Sequence, residues 1–412
     1  GVGGIVSWNG GTISNCYNVG KITGSFHGSI CANNGTTTNC YYLEGTDDRG
    51  VYYYGTGETV MKTASQFASG EVAWLLNGSE AGKNPAWRQT LGEDEYPVLD
   101  NTHGIVHFGY NACTPFYSND AVSQTQPEHH YGADGLCTNC GSGHPATLDS
   151  DGYYKIADAG HLYWFAQQVN SGENTINAVL TANIVVNTGV LKADGSLSDN
   201  NSTFRVWTPI GNSSHPYKGT FDGQGHTISG LYVNEPEKMY VGLFRYIYSG
   251  AEIMNVGVTD SYFRGDNCVG GVCGRLENGG SLTNCYNTGA VNGNYYASGV
   301  CGFSYKGSLT NCYNTGAVIG NGEFVGGVCA VAEYGSLTNC YNTGTVKGNG
   351  YDVGGVCGYA NSGSLTNCYN TGVVSGNGNN VGGVCGYANF GSITNCYYLS
   401  DPNIQGIGDG SG

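Results

Sequence analysis

The chain has 412 residues, enough for two or three domains, but only 11% are charged and 71 are glycine, so solubility must come from Asn, Ser, Thr and the backbone. A net charge of −16 with only 15 Lys plus Arg would repel a phosphate backbone or an anionic membrane surface, which argues against nucleic acid as a partner. No apolar stretch approaches the roughly 18 residues needed to span a bilayer, so no direct membrane insertion is expected of this segment.

The chain opens on Gly3-Gly4-Ile5-Val6 and Ser14-Asn15-Cys16-Tyr17-Asn18, fragments of a pattern met in full further on. It therefore reads as a piece of a longer protein, and the lack of a leader says little. Residues 1–43 hold two such units, closing at Thr38-Asn39-Cys40-Tyr41-Tyr42-Leu43. From 44 to 111 the pattern is gone. Thr63-x-x-Gln66 has the form of a capping box, and Glu71 to Leu76 is a short helical run stopped by Asn77-Gly78. Trp87, Leu91, Tyr96 to Leu99 and Gly104 to Phe108 suit short extended segments. This stretch is expected to form a small α+β cap over the open end of a first block.

Residues 112–146 are a polar connector. In it Cys137-Thr138-Asn139-Cys140, with His129 and Cys113, could supply four soft ligands to a structural zinc. A local disulfide and a set of inert thiols compete with that reading, because one Cys-x-x-Cys is only half of a four-ligand pattern. A metal there would staple a stretch too short to build a core. No other cofactor is expected.

The block 147–400 opens with a strand, Gly152 to Ile156, and a helix capped by Asp158 in which Leu162, Phe165, Ala166 and Val169 share one face. Such a helix suits the open end of a stack. Ala178 to Val186 reads as one buried strand, and 187–206 as a polar excursion. Lys218 to Leu231 and Tyr240 to Phe244 lead into strict repetition. There Cys273, Cys301, Cys329, Cys357 and Cys385 recur every 28 residues, and Cys285, Cys312, Cys340, Cys368 and Cys396 follow them. Gly, Asn, Ser and Thr break each apolar run after four or five positions, which suits strands and turns. A fixed period in this range means coils that must stack to bury their apolar faces. The expected fold is all-β, a right-handed parallel β-helix solenoid in two blocks joined by the cap and connector, with like residues about 4.8 Å apart and 401–412 as a tail.

The unit Gly-Gly-Val-Cys-Gly followed by Gly-Ser-Leu-Thr-Asn-Cys-Tyr-Asn-Thr-Gly resembles the GLUG motif over residues 269–399 and, in part, 1–43. That resemblance implies a scaffold of large bacterial surface proteins, some of them adhesins and some immunoglobulin-A-cleaving proteases, with an extracellular or cell-surface location and no single activity. Residues 218–231 and 240–244 resemble the coils that lead into GLUG arrays, and also segments of pectate-lyase-like helices.

Stacked cysteines at about 4.8 Å are badly placed for a bridge that wants Cβ atoms near 3.8 Å, so the two cysteine columns are expected to pack as free thiols rather than disulfides. Asn284, Asn311, Asn339, Asn367 and Asn395 suit an amide ladder that satisfies buried turns. Tyr286, Tyr313, Tyr341, Tyr369 and Tyr397 suit a stack that needs no ligand, although an external tyrosine stripe could also meet sugars or a protein.

Signs of catalysis are few. No His-Glu-x-x-His or Gly-x-Ser-x-Gly occurs, and Glu128-His129-His130 has the wrong order. Asp352, Glu323 and Glu277 read as scattered, with Lys306, Lys347 and Arg275 apart from them. Asp222 with His226 is the richest pair, and a solvated turn accounts for it. Asp149-Ser150-Asp151-Gly152 and Asp194-Gly195-Ser196 lack the remaining ligands of a calcium loop. The expectation is a noncatalytic structural or adhesive segment of a secreted or surface protein, meeting a host or bacterial surface protein or a glycan. The alternatives are a polysaccharide-processing β-helix enzyme and an accessory region of a large secreted protease.

Overall fold

This computed structural model describes residues 1–24, 26–46, 50–80, 84–111, 113–125, 127–401 and 403–410. Ala112 of the connector and Pro402, Ser411 and Gly412 of the tail lie outside the described residues. The chain forms two compact units, Gly1–His130 and Tyr131–Gly412.

In the first unit, strands Thr12–Asn18, Cys31–Leu43 and Val51–Lys62 pair in parallel, Cys16 against Cys40 and Tyr41 against Val60. The stack therefore runs past Leu43, where the Tyr-Leu closure was expected to end it. Val51–Lys62 carries no Cys-Tyr signature, so a period search cannot find this strand. Helix α1 (Ala64–Ala68) starts in a complete capping box, in which Thr63 Oγ1 accepts from the Gln66 amide at 3.2 Å and Gln66 Oε1 accepts from the Thr63 amide at 3.0 Å. Helix α2 (Glu71–Leu76) follows, and Phe67, Val72 and Leu76 bury against Tyr41 of the stack. A hairpin of His107–Asn111 with Thr114–Ser118 crosses the boundary drawn after residue 111, so ordered structure reaches into the sequence read as connector.

The second unit is a parallel β-solenoid. Each coil is cut into short strands because a turn residue arrives every few positions. In one coil these are Cys329–Glu333, Ser336–Thr338, Tyr341–Asn342, Val346–Gly348 and Asp352–Gly354. Every strand pairs with its counterpart one coil on: Cys329 with Cys357, Leu337 with Leu365, Tyr341 with Tyr369, Val346 with Val374. Winding on in this way builds ladders of 10, 8 and 6 strands and an 11-stranded sheet in which two further ladders, one of Cys strands and one of the strands before them, meet at Asn380–Asn389. The corner before each Cys-Tyr strand turns on Asn284, Asn311, Asn339, Asn367 or Asn395 at φ of 54–55°. Asparagine tolerates this left-handed conformation better than other side chains.

The core is a column of Leu282, Leu309, Leu337 and Leu365 facing Val300, Val328 and Val356, all fully buried. Burying each such side chain contributes roughly 1.5–3 kcal/mol. Helix α3 (Ala159–Asn170), capped by Asp158 Oδ1 on the His161 amide at 2.9 Å, sets Phe165 against Tyr217 and Phe221 of the first coils. Two expectations are corrected here. The single strand expected over 178–186 is two, Asn177–Leu180 and Ile184–Val185, on different faces, because a coil corner falls between them. The tail is not loose either, since Gln405–Gly410 pairs in parallel with the Cys385 strand and extends the stack.

Candidate functional site

Inside the solenoid, Cys273, Cys301, Cys329, Cys357 and Cys385 form one fully buried file, Cys285, Cys312, Cys340 and Cys368 a second, and no disulfide joins them. Burial pushes the Cys301 and Cys312 thiols well above their ordinary value. Beside the second file runs a ladder the sequence reading missed. Asn287 donates to Asn314 at 2.9 Å, Asn314 to Asn342 at 2.9 Å and Asn342 to Asn370 at 2.8 Å, and each amide also reaches the glycine carbonyl two residues on. Among the described residues, these four are the buried asparagines. They are seated over Gly271, Gly299, Gly327 and Gly355 in turn, and a Cβ at Gly327 would meet Asn342 at 2.5 Å and the Gly355 carbonyl at 2.0 Å. The second glycine of Gly-Gly-Val-Cys and the asparagine of Cys-Tyr-Asn are thus halves of one contact. The recurrence of that glycine with that asparagine from Gly271 to Asn370 was the available signal.

The asparagine column expected to satisfy buried turns is exposed instead. Asn311 donates to Asn284 at 3.0 Å, Asn339 to Asn311 at 3.1 Å, Asn367 to Asn339 at 3.2 Å and Asn395 to Asn367 at 2.6 Å. Its side chains point outward because a left-handed corner faces solvent. Tyr286, Tyr313, Tyr341 and Tyr369 stack face to face at 4.7–4.9 Å with interplanar angles of 1–5°. Tyr397, at the end of the column, is 64% exposed and donates to Asn395 Oδ1.

A groove of about 410 Å³ follows a different corner, with Gly307, Gly335 and Gly363 on its floor and Ser308, Ser336, Ser364 and Ser392 along one side. Its rim is one position of the repeat, occupied in turn by Asn278, Lys306, Tyr334, Ser362 and Phe390, all left-handed at φ of 50–53°. Phe390 is 80% exposed and Tyr334 54%. A bulky aromatic in this conformation costs about 1 kcal/mol that glycine would not.

Of the four connector residues read as zinc ligands, Cys113 and His129 belong to the first unit and Cys137 and Cys140 to the second. Asp222 and His226 do not pair: Asp222 Oδ1 accepts from the Gln224 amide and from Asn255 Nδ2, both at 2.9 Å, while His226 Nδ1 faces Asn183 Oδ1 at 3.2 Å. Asp149 and Asp194 accept from amides of their own turns. Arg275, expected to stand apart from the acids, in fact binds Glu277, with Nε 2.6 Å from Oε1. Residues two apart on a strand share a face, so the sequence did hold this pair. Its guanidinium lies over Tyr240 and Phe303, and Tyr246 donates to Glu277 Oε2 at 2.6 Å. A cluster with no sequence spacing to betray it joins His144 to the α3 cap, with Nε2 2.9 Å from Asp158 Oδ2 and its ring 3.9 Å from that of His161. Among the described residues, no helix is long and apolar enough to cross a membrane.

These coils, with like residues in file and a shared amide ladder, define a β-solenoid repeat protein. The family model described as the GLUG motif matches residues 265–292 and 322–347, so the regular coils carry GLUG repeats there. Over 97 residues, 23% of its length, it is 35% identical to halomucin of Haloquadratum walsbyi. Over 56 residues, 14% of its length, it is 32% identical to a protein of Evansella cellulosilytica provisionally named a Gly-rich membrane protein. The chain spans only 1% and 6% of these relatives. Among solved structures it is similar to a chain of Bacteroides ovatus provisionally described as an immunoglobulin A1 protease, with a TM-score of 0.46 and 20% identity over 61% of this chain and 76% of that one.

Proposed function

We propose that this chain is a noncatalytic, adhesive segment of a cell-surface or secreted protein, and that the groove face holds a glycan strand. The observation that carries this reading is the rim. While the lumen repeats the same residues from coil to coil, the rim position changes in every one and twice presents an exposed aromatic at a strained corner. Strain kept in an exposed side chain is a mark of use. The chemistry suits sugars: aromatic faces at Tyr334 and Phe390 for stacking, serine hydroxyls at coil spacing for hydrogen bonds, and the Lys306 ammonium for an acidic group. The surface assignment draws on the GLUG repeats and on the membrane-protein name of one relative. That no chemistry is done draws on the turn roles of Asp222 and His226 and on the neutralisation of Glu277 by Arg275.

The test is a glycan array probed with the full chain and with a Tyr334→Gly/Phe390→Gly variant, followed by product analysis of any retained glycan. Retention that is lost in the variant, with no product at any pH, is expected. Retention that is indifferent to both substitutions, or cleavage, would sink the reading.

A further inference from the structure

We propose that the solenoid face bearing Phe303, Phe324, Tyr359 and Tyr387, with Glu323 and Glu333 beside it, docks an arginine-rich segment of a partner protein. The chain shows in its own coils what this face takes. Arg275 stands in one file with Tyr246 a coil before it and Phe303 a coil after it. Its guanidinium carbon lies 5.6 Å from the Tyr246 ring centre, 5.2 Å from that of Phe303 and 5.3 Å from that of Tyr240, and its Nε donates to Glu277 Oε1 at 2.6 Å. A planar guanidinium stacks on rings in this way while a carboxylate alongside fixes its orientation.

Two coils further on, the acid of this arrangement recurs without its arginine. Through Tyr305, Glu333 takes the register of Glu277, and through Phe303, Val331 takes that of Arg275. The Glu333 carboxylate accepts from Asn361 Nδ2 at 3.4 Å and, among the described residues, forms no ion pair. The rings persist. Tyr296 lies 6.1 Å from Phe303 and 5.2 Å from Phe324, Phe324 stacks on Tyr359 at 5.1 Å, and Tyr359 on Tyr387 at 5.7 Å. Together they make an unbroken, half-buried ribbon along the coils.

The charge beside the ribbon has one sign. From Gly307 to Gly412 the sequence holds one Lys or Arg, Lys347, and it stands on a strand of another sheet. Glu323 directly precedes Phe324, Asp352 is in register with Phe324, and Asp409 with Tyr387. Burial pushes the Tyr296 hydroxyl up, and Cys268, Glu323 and Glu333 add to that, so both glutamates act on the ribbon. Rings without a cation, flanked by acids without a counterion, are complementary to guanidinium groups supplied from outside. Because the ribbon spans several coils, weak contacts with successive arginines add up.

The experiment is fluorescence anisotropy of labelled oligo-arginine, oligo-lysine and oligo-glutamate peptides of equal length, titrated with the full chain. Oligo-arginine should bind several-fold more tightly than oligo-lysine, and oligo-glutamate not at all. Glu323→Gln/Glu333→Gln should weaken oligo-arginine binding roughly fivefold. Tyr359→Leu/Tyr387→Leu should weaken it by roughly two- to fivefold per ring. Glu173→Gln/Glu237→Gln, which removes the same charge elsewhere, should leave binding unchanged, and so should Tyr334→Gly/Phe390→Gly at the groove rim. Glutamine keeps the shape of glutamate, so a loss in the first variant with an unchanged urea midpoint is a loss of contact and not of fold. Oligo-lysine bound as tightly as oligo-arginine, equal losses in the two acid pairs, or no binding of oligo-arginine would overturn the proposal.

Discussion

The lumen and the groove rim of the solenoid obey opposite rules although they belong to the same coils. In the lumen, register is enforced atom by atom, since Asn342 must meet Asn314 below, Asn370 above and the space left by Gly327 beside it. A changed residue in one coil breaks a contact in the next. At the rim, only the backbone conformation is shared, because Lys306, Tyr334, Ser362 and Phe390 adopt the same left-handed corner with nothing else in common. The comparison teaches that repetition in this chain records stacking, whereas its interruption at a fixed corner records freedom to vary what faces outward.

The strongest way to break the lumen is with base. Because burial raises the Cys301 and Cys312 thiols, the folded state keeps protons that the unfolded chain gives up. The contribution is fully present below the ordinary thiol value of 9.0 and is lost as pH rises above it. Each buried thiol should then withdraw about 1.4 kcal/mol per pH unit. Urea midpoints under reductant should be flat to pH 8 and fall steeply from pH 9 to 11, and the fall should be shallower in Cys301→Ala/Cys312→Ala. An unchanged slope would mean the thiols are not shielded. Next in size is Asn342→Ala, which orphans donors and acceptors on both neighbours and should cost about 3 kcal/mol. Asn339→Ala, in the exposed ladder, should cost about 1 kcal/mol, mostly from its left-handed backbone. Equal losses in urea unfolding would erase the distinction between the two columns.

Much of this was legible before any coordinates. The 28-residue period places like residues in file, and that follows from the need of each coil for a neighbour to cover its leucine and valine. What escaped was whichever feature the period does not carry. Val51–Lys62 joins a stack without its signature, and Thr181 to Asn183 turn a corner inside an apolar run that periodicity reads as continuous. Two asparagines flank each Cys-Tyr pair from Cys285 to Cys368, and only the winding of the coil says which one faces inward. The connector thiols were readable as residue types, because soft donors announce themselves, but spacing does not reveal the turn in which the Gly141 amide binds the Cys137 carbonyl.

At the rim the signs reverse. Tyr334→Gly relieves a left-handed tyrosine and should raise stability by about 1 kcal/mol while glycan retention falls. A loss of both would mean that Tyr334 packs rather than binds. The smallest effect belongs to Asp352, a buried acid. Burial raises its carboxyl above the ordinary 3.8, and Asp409 and Glu323 add to that, although the Asn380 amide at 2.6 Å opposes it. A raised carboxyl gives its full stability below the ordinary value and loses it as pH climbs, so at neutral pH Asp352 is a cost. Asp352→Asn keeps an acceptor for Asn380 and removes the charge. Its urea midpoint should therefore exceed wild type at pH 7 and converge with it near pH 3, and a variant less stable at pH 7 would show that the carboxylate is held by a partner stronger than the amide above it.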